Sequence, residues 1–289
     1  MDNGSRGVRR VLTIVGFAIA VALACVVLVT VWLWWQQERV VFQPPALVVD
    51  APAYAQRVEY PAADGHALFG YVLARTAADS GTVVIAFHGN ADMAVWTVPW
   101  ARELSERAGV IVFLPEYRGY AGIPGPTTYA SAAADARGAL AFVQRELQPR
   151  RIILFGHSLG SAVASELARE LQPAGPEALV LQSPFTSARE MAARMLVPPV
   201  SWVWTRIARV HYDTRTIVSS LEAPLSVAHG TRDLLVPARM GRQVFRAAKN
   251  PRALLLIEGA GHNDVADVGG ERYWQWLVDA VREPTDVRR

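Results

Sequence analysis

Six short runs of β-branched and aliphatic residues recur along the chain, at 82–87, 110–114, 151–155, 178–182, 225–228 and 254–257. Each has the length of a strand and is apolar throughout, so both of its faces must meet protein rather than water. Between them, near 95–108, 129–147, 161–171, 238–248 and 268–281, lie longer stretches rich in Ala, Arg and Glu, with helical length and amphipathic spacing. This alternation points to an α/β architecture: a mostly parallel sheet covered by helices on both faces. Upstream, residues 56–60 and 66–74 flank Asp64-Gly65, the turn signal of an antiparallel hairpin, which belongs at the edge of that sheet. No internal repeat or low-complexity tract interrupts the pattern.

The chain can fill such a fold. Of its 289 residues 52% are hydrophobic and 19% charged, enough for one large core and far from a disordered polar chain. The net charge is +3, of which residues 1–35 supply +2, and no basic run is longer than a pair such as Arg288-Arg289. That excludes the electrostatic footprint of a nucleic-acid binder. Arginine accounts for every basic residue except Lys249, a bias of coding rather than of phosphate recognition. A single cysteine, Cys25, leaves the fold without an internal disulfide.

Residues 11–35 carry no charge, and at ~1.5 Å per residue a helix of that length exceeds the ~30 Å hydrocarbon core of a bilayer. Arg6, Arg9 and Arg10 precede the run, whereas Glu38 and Arg39 nearly cancel after it. The positive-inside rule therefore expects residues 1–10 in the cytoplasm and the bulk of the chain on the extracytoplasmic side. Trp32, Trp34 and Trp35 crowd the far end, where indoles favour the membrane interface. A cleaved signal peptide and a buried globular helix are the rival readings; the ten uncharged residues after Cys25 favour a retained anchor. Residues 36–56, with Pro44, Pro45 and Pro52, read as a short extended connector, and 57–289 as the folded unit.

The chemistry is written at three strand ends. After the third parallel run comes Gly156-His157-Ser158-Leu159-Gly160 and then a helix-prone segment, a G-x-S-x-G in a strand-turn-helix setting. Ser158 would sit at a strained turn that only small neighbours tolerate. The Leu159 N–H and the helix dipole would then face a developing oxyanion. A serine hydroxyl needs a base and an orienting carboxylate, in the order Ser, Asp or Glu, His. Asp233 follows the run at 225–228 and His262 the run at 254–257; Asp264 is the alternative carboxylate. The second oxyanion donor is expected from Phe87-His88-Gly89-Asn90-Ala91-Asp92, with the Asn90 amide preferred and Ala91 the neighbour alternative. The Asn90 side chain could instead cap the next helix, and His88 would brace the loop. His157 and His229 read as packing or loop-orienting residues, while His66 lies in the predicted hairpin and His211 in a polar segment.

These motifs, with Glu116-Tyr117-Arg118-Gly119-Tyr120 and Ser183-Pro184-Phe185-Thr186-Ser187, resemble the α/β-hydrolase superfamily over residues 39–281. More narrowly, they are similar to the single-pass bud-emergence-like serine hydrolases and their lysophospholipase-like and prolyl-oligopeptidase-like relatives. Glu116 departs from the Asp more usual there, which should alter loop packing and leave the triad untouched. The resemblance implies hydrolysis of an ester, thioester or related acyl bond in a small molecule or lipid, without a metal or organic cofactor. A peptidase or amidase of the same fold, and a non-catalytic hydrolase-like binding unit, are the competing classes. Residues 187–222 occupy the place of a short cap. Met191, Met195, Leu196, Val197, Trp202, Val203, Trp204 and Ile207 make it apolar, fitting an acyl tunnel, a membrane contact or plain core packing.

Overall fold

The computed structural model describes residues 3–45, 47–74, 81–198 and 200–282. Asp2 and the Arg288-Arg289 pair lie outside the described residues. Helix α1 (Asn3–Val41) leads through an irregular stretch into the hairpin β1 (Gln56–Pro61) and β2 (Ala67–Leu73). Then come β3 (Thr82–Phe87), α2 (Val98–Ala108), β4 (Ile111–Pro115), α3 (Tyr129–Phe142), β5 (Arg151–His157), α4 (Leu159–Glu170) and β6 (Ala178–Gln182). The short helices α5 (Ala188–Met195), α6 (Val200–Ile207) and α7 (Thr214–Val218) fill the cap position. β7 (Leu225–Gly230), α8 (Ala238–Ala247), β8 (Pro251–Ile257) and α9 (Val265–Val281) complete the order.

The eight strands form one sheet in the order β1-β2-β4-β3-β5-β6-β7-β8. β2 runs antiparallel to both its neighbours, and every other pairing is parallel. Continuous apolarity has the expected consequence in β3. Val83, Ile85 and Phe87 enter the core under α3, α4 and α8, while Val84 and Ala86 enter the opposite core under α2 and α9. Local chemistry sets the helix ends. The Thr128 and Ser131 side chains cap each other's backbone N–H at the start of α3, and α2 stops at Gly109, whose φ of 68° lets its N–H turn back to Ser105 O.

One expectation is corrected, and one element is new. The connector does not begin at residue 36: α1 continues to Val41, because Gln37 and Phe42 are buried against the rest of the protein and hold the last turns in place. Helix α7 has no counterpart in the sequence reading, since five residues are too few to show a 3.6-residue period. Nor is α1 a core helix, for none of its most apolar window is buried. Among the described residues it is the one helix long and apolar enough to cross a membrane, a test that an anchor and a signal sequence both pass.

Candidate active site

β5 ends at His157 and α4 begins at Leu159, so Ser158 alone makes the turn, with φ 51° and ψ −114°. A non-glycine residue in that region is strained by about 1–3 kcal/mol, and the surroundings enforce it. The Ser158 N–H donates to Gln182 O at 3.0 Å. A Cβ on Gly156 would collide with Gly160 O, and one on Gly160 with Phe87 O, so α4 packs on β5 and β3 only because both positions are glycine. Ser158 is 8% exposed.

The ends of β7 and β8 bring the other two residues to this serine. His262 Nε2 lies 2.9 Å from Ser158 Oγ, and His262 Nδ1 lies 2.6 Å from Asp233 Oδ2. A carboxylate only accepts, so Nδ1 carries the proton and Nε2 is free to accept from the serine hydroxyl. Asp233 is fastened in turn: its Oδ1 accepts from the Leu235 and Val236 N–H groups at 3.0 and 2.8 Å. Burial alone would raise its carboxyl, yet hydrogen bonds from His229 and His262 hold it well below the usual carboxylate range. Asp264 has another task, accepting from the Gly261 N–H at 2.6 Å and so shaping the loop that carries His262.

Similar proteins match this chain along most of their length. The family described as serine aminopeptidase S33 matches residues 78–218. The Arabidopsis thaliana α/β hydrolase domain-containing protein WAV2 is 26% identical over 278 residues, covering 88% of this chain and 90% of its own. The esterase PF2001 of Pyrococcus furiosus superposes with a TM-score of 0.67 at 20% identity, covering 84% of this chain and 99% of that one. An uncharacterized protein of Mycobacterium tuberculosis, Rv2307c, is 35% identical over 263 residues, covering 88% of this chain and 89% of its own. The chain belongs to the α/β-hydrolase superfamily.

In this hydrolase the loop after β3 passes directly over the serine: a Cβ on Gly89 would lie 3.5 Å from Ser158 Cβ and 3.1 Å from His157 Nδ1. That places the backbone of Gly89, next to Asn90, beside the amino end of α4. The Asn90 side chain does not cap the following helix, contrary to one expectation. Its Nδ2 donates to Val41 O at 2.6 Å, and its Oδ1 accepts from the Gln43 N–H and the Tyr120 hydroxyl, each at 2.8 Å. The end of α1 is therefore pegged to the loop over the serine, a link across 47 residues that no local pattern could reveal.

His88 braces this loop, as its position suggested. Its Nε2 donates to the fully buried Glu116 at 2.7 Å, and its Nδ1 lies 2.8 Å from Gly89 O. Burial alone would depress the imidazole, but Glu116 more than offsets this and raises it. The other oxygen of Glu116 accepts from the Ala94 N–H at 3.0 Å, so one carboxylate ties both ends of the loop. The longer side chain at position 116 is what reaches both, and it touches none of Ser158, Asp233 or His262.

Two more residues hold the histidine. His157 Nε2 and Ser183 Oγ donate to His262 O at 3.2 and 3.4 Å. Burial first and the nearby His262 second lower the His157 imidazole to about 4, so it stays neutral. Ser183, which opens one of the motifs that carry the resemblance but was given no role there, has a left-handed φ of 49° just after β6. His229 Nε2 sits 3.2 Å from Asp233 Oδ2 and 2.8 Å from Val236 O, orienting the carboxylate loop. His66 bonds Pro124 O and His211 packs on Tyr129, both away from the serine. Among the described residues no group of three or more His, Cys, Asp or Glu side chains is gathered that could hold a metal ion.

Proposed function

We propose that this protein is a membrane-anchored serine hydrolase acting on an ester or thioester acyl bond. The supporting observation is the unbroken relay in which His262 bridges Ser158 Oγ and Asp233 at 2.9 and 2.6 Å. As Oγ attacks the acyl carbonyl carbon, His262 Nε2 takes its proton and Asp233 steadies the imidazolium. The tetrahedral oxyanion is held by the Leu159 and Asn90 N–H groups at the amino end of α4. His262 then gives the proton to the departing alcohol or thiol, leaving the acyl group on Ser158. A water deprotonated by His262 attacks that acyl-enzyme, the Ser158–acyl bond breaks, and the carboxylic acid leaves. α1 holds the protein in the membrane, with its amino end in the cytoplasm and the hydrolase outside.

A fluorophosphonate probe tests the chemistry. It should label Ser158 and abolish hydrolysis of p-nitrophenyl esters, and Ser158→Ala should lose both; labelling that survives in Ser158→Ala overturns the assignment. The S33 match favours a second reading, an aminopeptidase, which needs a carboxylate for the substrate's amine. Glu190, at the start of the cap, is already engaged by Thr186 Oγ1 at 2.6 Å and Arg215 at 3.2 Å. Faster turnover of aminoacyl p-nitroanilides than of esters would decide for the peptidase.

A further inference from the structure

The cap carries apolar side chains that nothing among the described residues covers. Trp202 on α6 is 61% exposed, and Met195 and Val197, where α5 leads toward α6, are 64% and 72% exposed. Beside them Arg194 donates to Leu234 O at 3.1 Å, joining α5 to a loop whose Leu234 is 86% and Leu235 47% exposed. Leu234 directly follows Asp233, so this apolar rim borders the site itself. α6 packs inward through Trp204 and Ser201, and its outward Trp202 joins the neighbouring apolar side chains in a contiguous exposed patch of the kind that marks an interaction surface.

What covers the rim follows from α1. α1 packs against α6, and the covered stripe on α1 runs through Thr30, Leu33, Gln37 and Val41 at helical spacing. Its upper two members lie inside the uncharged run. Just past α6, the Arg209 N–H donates to Gln37 Oε1 at 2.6 Å and its guanidinium sits 4.8 Å from the Trp34 ring centre. α6 is thus level with Trp32, Trp34 and Trp35, the indoles at the end of the spanning run. Arg194 and Arg206 flank the apolar side chains with exposed cations, the pairing an interfacial helix presents to acyl chains and anionic headgroups.

We propose that α6, the stretch between α5 and α6, and the Leu234–Leu235 rim sit in the interfacial layer of the same bilayer that α1 crosses. The site then opens onto lipid, and its substrate is an amphiphile presented from that leaflet, an acyl ester with a long chain. This deepens the membrane-anchored hydrolase reading and rests on it. The occupant is lipid rather than a second copy of the chain, because the rim continues the surface from which α1 enters the membrane.

The test uses the full chain with Cys25→Ser, reconstituted in vesicles of mixed zwitterionic and anionic phospholipid. An environment-sensitive fluorophore is placed on Trp202→Cys or, should that variant misfold, on Val197→Cys, with Val268→Cys on α9 as the exposed control. The cap label should be quenched by lipids bearing a nitroxide near the headgroup and shielded from aqueous iodide, with the control label behaving oppositely. Equal iodide quenching at both sites overturns the proposal, as does shielding that vanishes when vesicles hold one copy each, which would indicate a protein partner. Trp202→Asp should lower the rate on a vesicle-embedded long-chain ester, relative to a soluble short-chain ester, by about ten-fold, and Trp202→Phe should restore it. An unchanged ratio also counts against lipid docking. Absence of ester hydrolysis in the wild type would sink the hydrolase reading alone, and release of the protein by alkaline carbonate the anchor reading alone, while the quenching still judges the cap.

Discussion

His262 is held at both ring nitrogens, and the two contacts fix different things. In the proposed mechanism the bond to Ser158 carries the proton and the bond to Asp233 sets which nitrogen can receive it. His262→Ala should therefore cost as much as Ser158→Ala, about 10⁴-fold or more in kcat, and the double variant should cost no more than either. Asp233→Asn should cost less than either, with the residual rate climbing as pH rises. Asp264→Asn, which loosens only the loop at Gly261, should leave kcat within about ten-fold of wild type; the reverse ranking in esterase assays would reassign the orienting acid. His157 gives a stability prediction. Its folded imidazole is held at about 4 against an ordinary 6.5, so only the unfolded chain takes up a proton between these values. The thermal midpoint in detergent should fall as pH drops from 6.5 toward 4, and His157→Gln should flatten that slope. Asp233, whose carboxyl is depressed instead, contributes stability that is lost only as pH falls below 3.8.

Elements ended where short-range chemistry ends them, and that much was legible beforehand. β3 and β6 occupy the residues their apolar runs marked, and Gly156 and Gly160 stand where a strand turns into a helix. Gly160→Ala would press a methyl into Phe87 O, and should lower the melting temperature and the fluorophosphonate labelling rate together. The contacts that the sequence could not reveal run across long separations. Asn90 meets Val41 and Gln43, Glu116 meets His88 and Ala94, and Ser183 meets His262, each pair brought together by topology rather than spacing. Glu116→Gln keeps the side chain's reach but removes its charge, so the loop should persist with a weakened hold on His88. The expected result is a kcat lowered about ten-fold with KM little changed, because the loop serves the transition state more than the bound ester.

In the proposed arrangement one helix holds the whole protein in the membrane. At ~1.5 Å per residue the 39 residues of α1 span about 58 Å, longer than the ~30 Å bilayer core, and the surplus at the carboxyl end is packed on the hydrolase rather than left as a stalk. Membranes washed with alkaline carbonate should retain the protein, and protease added from the extracytoplasmic side should reach the hydrolase; a mature amino terminus between residues 20 and 36 would instead mark a cleaved signal. The peg between Asn90 and residues Val41 and Gln43 bears on how such a protein can be processed or engineered. Any cut before residue 36 spares the peg, so a naturally released form would keep its loop over the serine intact. A shortened recombinant version beginning at the hairpin, the obvious choice for making the enzyme water-soluble, would discard both peg partners and leave Asn90 with Tyr120 alone, trading solubility for a slackened oxyanion site.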